Sequence, residues 1–157
     1  MSSLFDDLRD LYQEVILDHG RKPRNFRRLE DADATARGDN PMCGDRIELF
    51  LKRAPDGTIG DIAFQGRGCA ISTASASLMT EVVKGKSAEG AKELGAKFRE
   101  LAMTGVCPDC GTALQDDMER LAPLSGVHEF PSRVKCATLA WHTLNAALDG
   151  NKEASSE

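Results

Sequence analysis

Three of the five cysteines in this chain fall where one element of structure should give way to the next, and an aspartate accompanies the first. Cys43 lies in the turn-like run Asn40-Pro41-Met42-Cys43-Gly44-Asp45. Cys69 closes Gly66-Arg67-Gly68-Cys69, and Cys136 follows Pro131-Ser132-Arg133-Val134-Lys135 in the first turn of a helical pattern. Loop tips and helix N-termini gathered at one end of a sheet are close in space, so thiols this far apart in sequence can meet. A helix N-terminus also favours the thiolate, the form that binds metal or attacks a sulfur electrophile. Arg67, Arg133 and Lys135 stand within a few residues of these thiols and add positive charge. Three thiolates and one carboxylate make a full tetrahedral set for zinc, with Cys43, Asp45, Cys69 and Cys136 as ligands and a weaker oxygen donor at one corner. Asp45 is two residues from Cys43, and side chains so spaced on an extended strand point the same way. The competing reading is structural: a cysteine inside a helix is usually a small buried apolar residue, and an aspartate after a glycine is usually a turn residue.

Cys107 and Cys110 form a CxxC with Pro108 and Asp109 between them. The pair is half of a zinc site without an obvious second half, His128 being the nearby candidate. A redox pair of the thioredoxin kind should follow a strand and open a helix, whereas here a helical pattern precedes it. A reduced loop pair is the plainer reading. His19 and His142 read as surface and helix residues, Met79 and Trp141 as core.

The elements that must carry these residues are legible from periodicity. Leu4, Leu8, Leu11 and Val15, with Phe5, Tyr12 and Ile16, predict an amphipathic helix over 4–19 that Gly20 and Pro23 end. Ile47, Leu49 and Leu51 alternate with Arg46, Glu48 and Lys52, predicting a half-buried strand over 46–53. Pro55-Asp56-Gly57 turns the chain into a return strand over 58–65. A shorter strand within 33–39 completes a three-stranded antiparallel sheet. Helical patterns follow from Ala70 to Gly85, from about Ser87 to Thr104, from a Thr112/Gln115 capping box through Leu121, and over 134–148. Strands first and helices after them predict an α+β domain with helices packed on one face of the sheet. The expected domain spans 1–150, and 151–157 reads as a polar tail, frayed from about Asp149.

Composition bounds the function. Hydrophobic residues make up 41% and charged residues 29% of 157 positions, the balance of an ordinary globular protein. Net charge is −5, and the one basic run, from Arg21 to Arg28, is followed at once by Glu30, Asp31 and Asp33, which argues against nucleic acid as a partner. No apolar run is long enough for a membrane span, and Met1 to Asp7 lacks a signal-peptide layout. The chain is expected in the cytoplasm, where thiols stay reduced and an odd number of cysteines points to metal or thiol chemistry.

The sequence resembles the U-type iron–sulfur cluster assembly proteins, IscU and its relative SufU. Leu11-Tyr12-Gln13-Glu14-Val15-Ile16-Leu17-Asp18-His19 with Pro23-Arg24-Asn25 is similar to that family's opening helix and loop. Asn40-Pro41-Met42-Cys43-Gly44-Asp45, Phe64-Gln65-Gly66-Arg67-Gly68-Cys69-Ala70-Ile71-Ser72 and Arg133-Val134-Lys135-Cys136-Ala137-Thr138-Leu139-Ala140-Trp141 are similar to its three ligand motifs, in order. The resemblance implies a compact α+β domain with a three-stranded sheet, and a metal held by Cys43, Asp45, Cys69 and Cys136. It also implies a cysteine desulfurase partner that donates persulfide sulfur, and Cys43 as the thiol that receives it. Lys135 stands where IscU members carry a histidine, and an extra segment lies near 105–127. Both features resemble the SufU branch, a zinc-dependent sulfur acceptor for the SufS desulfurase that feeds downstream assembly proteins. The alternative is a scaffold that assembles a [2Fe–2S] cluster and passes it on, with iron in place of zinc. A thiol oxidoreductase using Cys107 and Cys110 ranks behind both.

Overall fold

The computed structural model describes residues 13–41, 44–106 and 114–155. Residues 13–21 are helical (α1), the remainder of the expected first helix lying outside the described residues. Ile16 packs on the core while Leu17 faces outward. Strands β1 (Ala34–Asn40), β2 (Asp45–Arg53) and β3 (Ile59–Arg67) follow, then α2 (Ala70–Val83), α3 (Ala88–Thr104) and α4 (Gln115–Leu121). A 3₁₀ stretch (Ala122–Glu129), α5 (Pro131–Leu148) and β4 (Glu153–Ser155) complete the order.

The three expected strands form the antiparallel ladder that the alternation requires. Leu51 lies opposite Ala34 and Ile62, Leu49 opposite Ala36 and Phe64, and Ile47 opposite Gly38 and Gly66. These residues share the face covered by the helices, and they join Met79, Leu94, Phe98, Leu139, Trp141 and Leu144 in one core. Phe98 and Trp141 stack with centroids 5.1 Å apart. The opposite face is covered by the loop before β1, where Leu29 and Ala32 pack on Phe50 and Ala63. That loop also protects the β3 edge, since Arg27 donates to the Phe64 carbonyl at 3.0 Å and Phe64 donates to that of Asn25 at 3.0 Å.

The class is α+β, as the pattern implied, with two adjustments. The sheet has a fourth strand in the order β3-β2-β1-β4, because the segment expected to fray returns and pairs parallel to β1. The Arg37 N–H reaches the Lys152 carbonyl at 2.8 Å, satisfying an edge that would otherwise be bare. The last helix begins at Pro131, one turn before the first apolar residue of its stripe. Proline fits the first helical position, where no N–H is needed, and periodicity alone does not see a polar first turn. Cys136 therefore sits in the second turn rather than the first.

Two further expectations change. Helix α4 has Leu114 at its N-cap with no side-chain cap, so Gln115 opens the helix and does not complete a capping box. Its proposed partner Thr112 lies outside the described residues. His19 is buried, not at the surface, and hydrogen-bonds through Nδ1 to Ser77 Oγ at 2.7 Å. Among the described residues no helix is long and apolar enough to cross a membrane.

Candidate metal centre

Register places the first two polar groups of the site. Asn40 ends β1 and Asp45 begins β2 directly opposite it, so both fall on the helix-covered side that Gly38 and Ile47 continue. The connection between them closes tightly: the Gly44 N–H donates to the Asn40 carbonyl at 2.9 Å, and Gly44 has φ +73°, which a glycine adopts without penalty. Cys43, the fourth expected ligand, lies in this connection and outside the described residues.

Helix α2 starts at the same pole. Cys69 is its N-cap, and the thiol accepts the Ser72 N–H at 3.4 Å, occupying one of the donors that a helix start leaves without a partner. The Cys69 N–H donates to Asp45 Oδ1 at 3.0 Å. Gly68 makes this approach possible, since a Cβ there would stand 2.7 Å from the same Oδ1. Helix α5 brings Cys136, which is fully buried. Its thiol lies 3.6 Å from the Ser132 carbonyl one turn earlier, and the Asn40 amide Nδ2 points at it from 3.7 Å.

The result is a compact donor set. An Asp45 carboxylate oxygen, Cys69 Sγ and Cys136 Sγ all lie within 4.8 Å of one another, with Asp45 and Cys136 buried and Cys69 half-buried. Ligand atoms on a tetrahedral zinc ion are separated by about 3.3–3.8 Å for bonds of about 2.0–2.3 Å, a contraction within reach of side-chain rotation. Asp45 Oδ2 has a further property: it is buried and has no hydrogen-bond partner among the described residues. Leaving a carboxylate oxygen in that state is costly unless a cation meets it. The chemistry of the donors and this orphaned oxygen both fit a thiophilic divalent metal.

Arg133 is exposed, and its position beside Cys136 and, more weakly, Cys69 holds its guanidinium above the ordinary arginine value. The histidines lie elsewhere. His19 is bound to Ser77, His142 lines a groove between α3 and α5, and His128 donates to the Ser125 carbonyl at 2.8 Å. Cys107 and Cys110 lie outside the described residues. Sequence reasoning did not single out Asn40, although it opens the motif that holds Cys43 and Asp45. An asparagine before proline reads as a turn residue, and only the ladder shows that its side chain faces inward.

Residues 11–155 match the family described as NifU-like N terminal domain. The chain belongs to that family. Within this IscU/SufU group it is 43% identical over 142 residues to the zinc-dependent sulfurtransferase SufU of Bacillus subtilis, covering 90% of this chain and 92% of that one. It is 42% identical over 141 residues to the iron–sulfur cluster assembly scaffold protein IscU of Streptococcus pyogenes, covering 90% and 84%. The crystal structure of FiSufU from Fervidobacterium islandicum superposes with a TM-score of 0.77 at 30% identity, over 86% of this chain and 94% of that one. The fold described above is thus shared with that structure over most of both chains.

Proposed function

We propose that this chain serves iron–sulfur cluster assembly as a zinc-dependent sulfur acceptor, taking persulfide sulfur from a SufS-type cysteine desulfurase onto Cys43. The observation that carries the reading is the buried, unpartnered Asp45 Oδ2 beside two thiols, and the name of the B. subtilis relative supports it. Cys43, Asp45, Cys69 and Cys136 would hold the ion, which keeps thiols ionised without any redox chemistry of its own. In the transfer step the Cys43 thiolate attacks the terminal sulfur of the desulfurase persulfide. The new bond joins Cys43 Sγ to that sulfur, the S–S bond to the desulfurase cysteine breaks, and that cysteine leaves as thiolate. Asp45 and Cys69 remain tied to each other by their hydrogen bond, so the site keeps its shape while Cys43 is engaged. The cytoplasm, where thiols stay reduced, suits this chemistry.

The test is transfer of radiolabelled sulfur from cysteine through a purified desulfurase. Cys43→Ala should take up no label while remaining folded; label retained at the wild-type level would defeat the proposal. The second reading, a scaffold whose cargo is a [2Fe–2S] cluster, is favoured by the S. pyogenes relative's name and by the affinity of thiolates for iron. Protein purified without oxygen separates the two. A colourless chain with one zinc supports the sulfur acceptor, and a coloured iron-loaded chain supports the scaffold.

A further inference from the structure

Asn40 is wholly buried, at the end of β1 and opposite Asp45. Its Nδ2 lies 3.7 Å from Cys136 Sγ, and its Oδ1 is buried with no hydrogen-bond partner among the described residues. The orientation of the amide follows from charge, because turning it over would set the carbonyl oxygen against the sulfur of Cys136. A buried carbonyl without a partner is costly, and among the described residues neither strand pairing nor core packing satisfies Oδ1. The same residue closes the loop of Cys43 through its backbone carbonyl. One residue thus contacts two of the thiol-bearing elements in different ways, by backbone to the Cys43 loop and by side chain to Cys136.

We propose that Asn40 is a positioning residue whose amide N–H···S hydrogen bond fixes Cys136 as a permanent metal ligand, so that ligand exchange and sulfur acceptance fall to Cys43. This rests on the sulfur-acceptor reading above and explains a choice between thiols that spacing leaves open. Hydrogen bonding to a thiolate withdraws electron density from the sulfur, which lowers its nucleophilicity while orienting it toward the metal, as outer-sphere donors commonly do. Cys69 receives a helix N–H from Ser72, so both thiols retained in this account accept a hydrogen bond from the fold.

Cobalt(II) substituted for zinc reads the bond spectroscopically. In Asn40→Ala the sulfur-to-cobalt charge-transfer band should move to lower energy, and affinity measured against a chelator should fall by about 10- to 100-fold. Desulfurase-loaded Asn40→Ala should then carry persulfide on Cys136 as well as Cys43 by peptide mass spectrometry. An unmoved band with unchanged affinity would overturn the proposal. A second measurement needs no substitution: in wild-type chain loaded with cadmium-113, the Asn40 side-chain protons should show scalar coupling to the metal through the N–H···S bond. Absence of that coupling in a folded, loaded sample would equally overturn it. The band, the affinity and the coupling involve no sulfur transfer, so they report on Asn40 even if Cys43→Ala still accepts sulfur and the acceptor reading fails.

Discussion

Asp45 is 2% exposed, and its Oδ2 has no hydrogen-bond partner among the described residues. In the metal-free chain its replacement by alanine removes both the bond from Cys69 and the cost of a buried charge. These terms are of similar size, about 2 kcal/mol each, so Asp45→Ala should leave the metal-free unfolding temperature within a few degrees of wild type. Adding zinc should then raise that temperature less in the variant than in wild type. Differential scanning calorimetry checks this, and an equal zinc response in both would show that Asp45 is no ligand. Gly68→Ala acts on the same oxygen from the other side. The added methyl would meet Asp45 Oδ1 at 2.7 Å, displacing the carboxylate, so chelator competition should show metal affinity reduced by about tenfold or more with the fold retained. Unchanged affinity would mean that the loop moves instead. Asp45, Cys69 and Cys136, which the structure brings together, could be picked out in sequence because metal donors are few residue types at loop and helix junctions. Asn40 was not legible in its role, since what it does depends on which way a strand end turns.

At the scale of elements, the N-terminal helix and its loop are tied to α2 by side chains rather than by apolar burial alone. His19 and the Arg24 N–H both bind Ser77 Oγ, at 2.7 and 2.8 Å, and Asn25 Nδ2 binds Thr80 Oγ1 at 2.9 Å. Burial pushes the His19 imidazole below its ordinary value, with Arg24 and Arg120 adding to that and Glu81 and Asp18 opposing it. His142 is shifted the same way by burial and by Arg99. A histidine whose folded value lies below its unfolded one binds fewer protons when folded. Stability is therefore full above about pH 6.5 and falls as acid protonates the unfolded chain. Denaturant titrations of metal-free protein should show lower stability at pH 5.5 than at pH 7.5, with a smaller loss in His19→Gln. Equal stability at both pH values would remove this role. The strands and the long helices were legible from periods of two and 3.6. Two element features escaped because neither is apolar: the polar opening turn of α5, and β4, which is held by backbone pairing in a polar segment.

At the scale of the whole molecule, the proposed metal binding would be coupled to folding. The proposed ligands come from β2, the cap of α2 and α5, with Cys43 in the β1–β2 connection, so a bound ion would crosslink segments that span most of the chain. Free metal at about a thousand times its dissociation constant would stabilise the fold by about 4 kcal/mol, or very roughly 10 °C for a domain of this size. Stripping zinc with a chelator should lower the unfolding temperature by that order. The fold class was legible as a whole because helices and strands segregate along the sequence. Convergence of Cys69 and Cys136 on Asp45 rested on topology, which spacing alone left open to the structural alternative. The account's central claim is that three thiolates and one carboxylate meet on a single ion. X-ray absorption at the zinc edge of the loaded chain tests it directly. The spectrum should fit three sulfurs at about 2.3 Å and one oxygen at about 2.0–2.2 Å; a shell of nitrogen and oxygen alone, or a chain that retains no zinc, would contradict it.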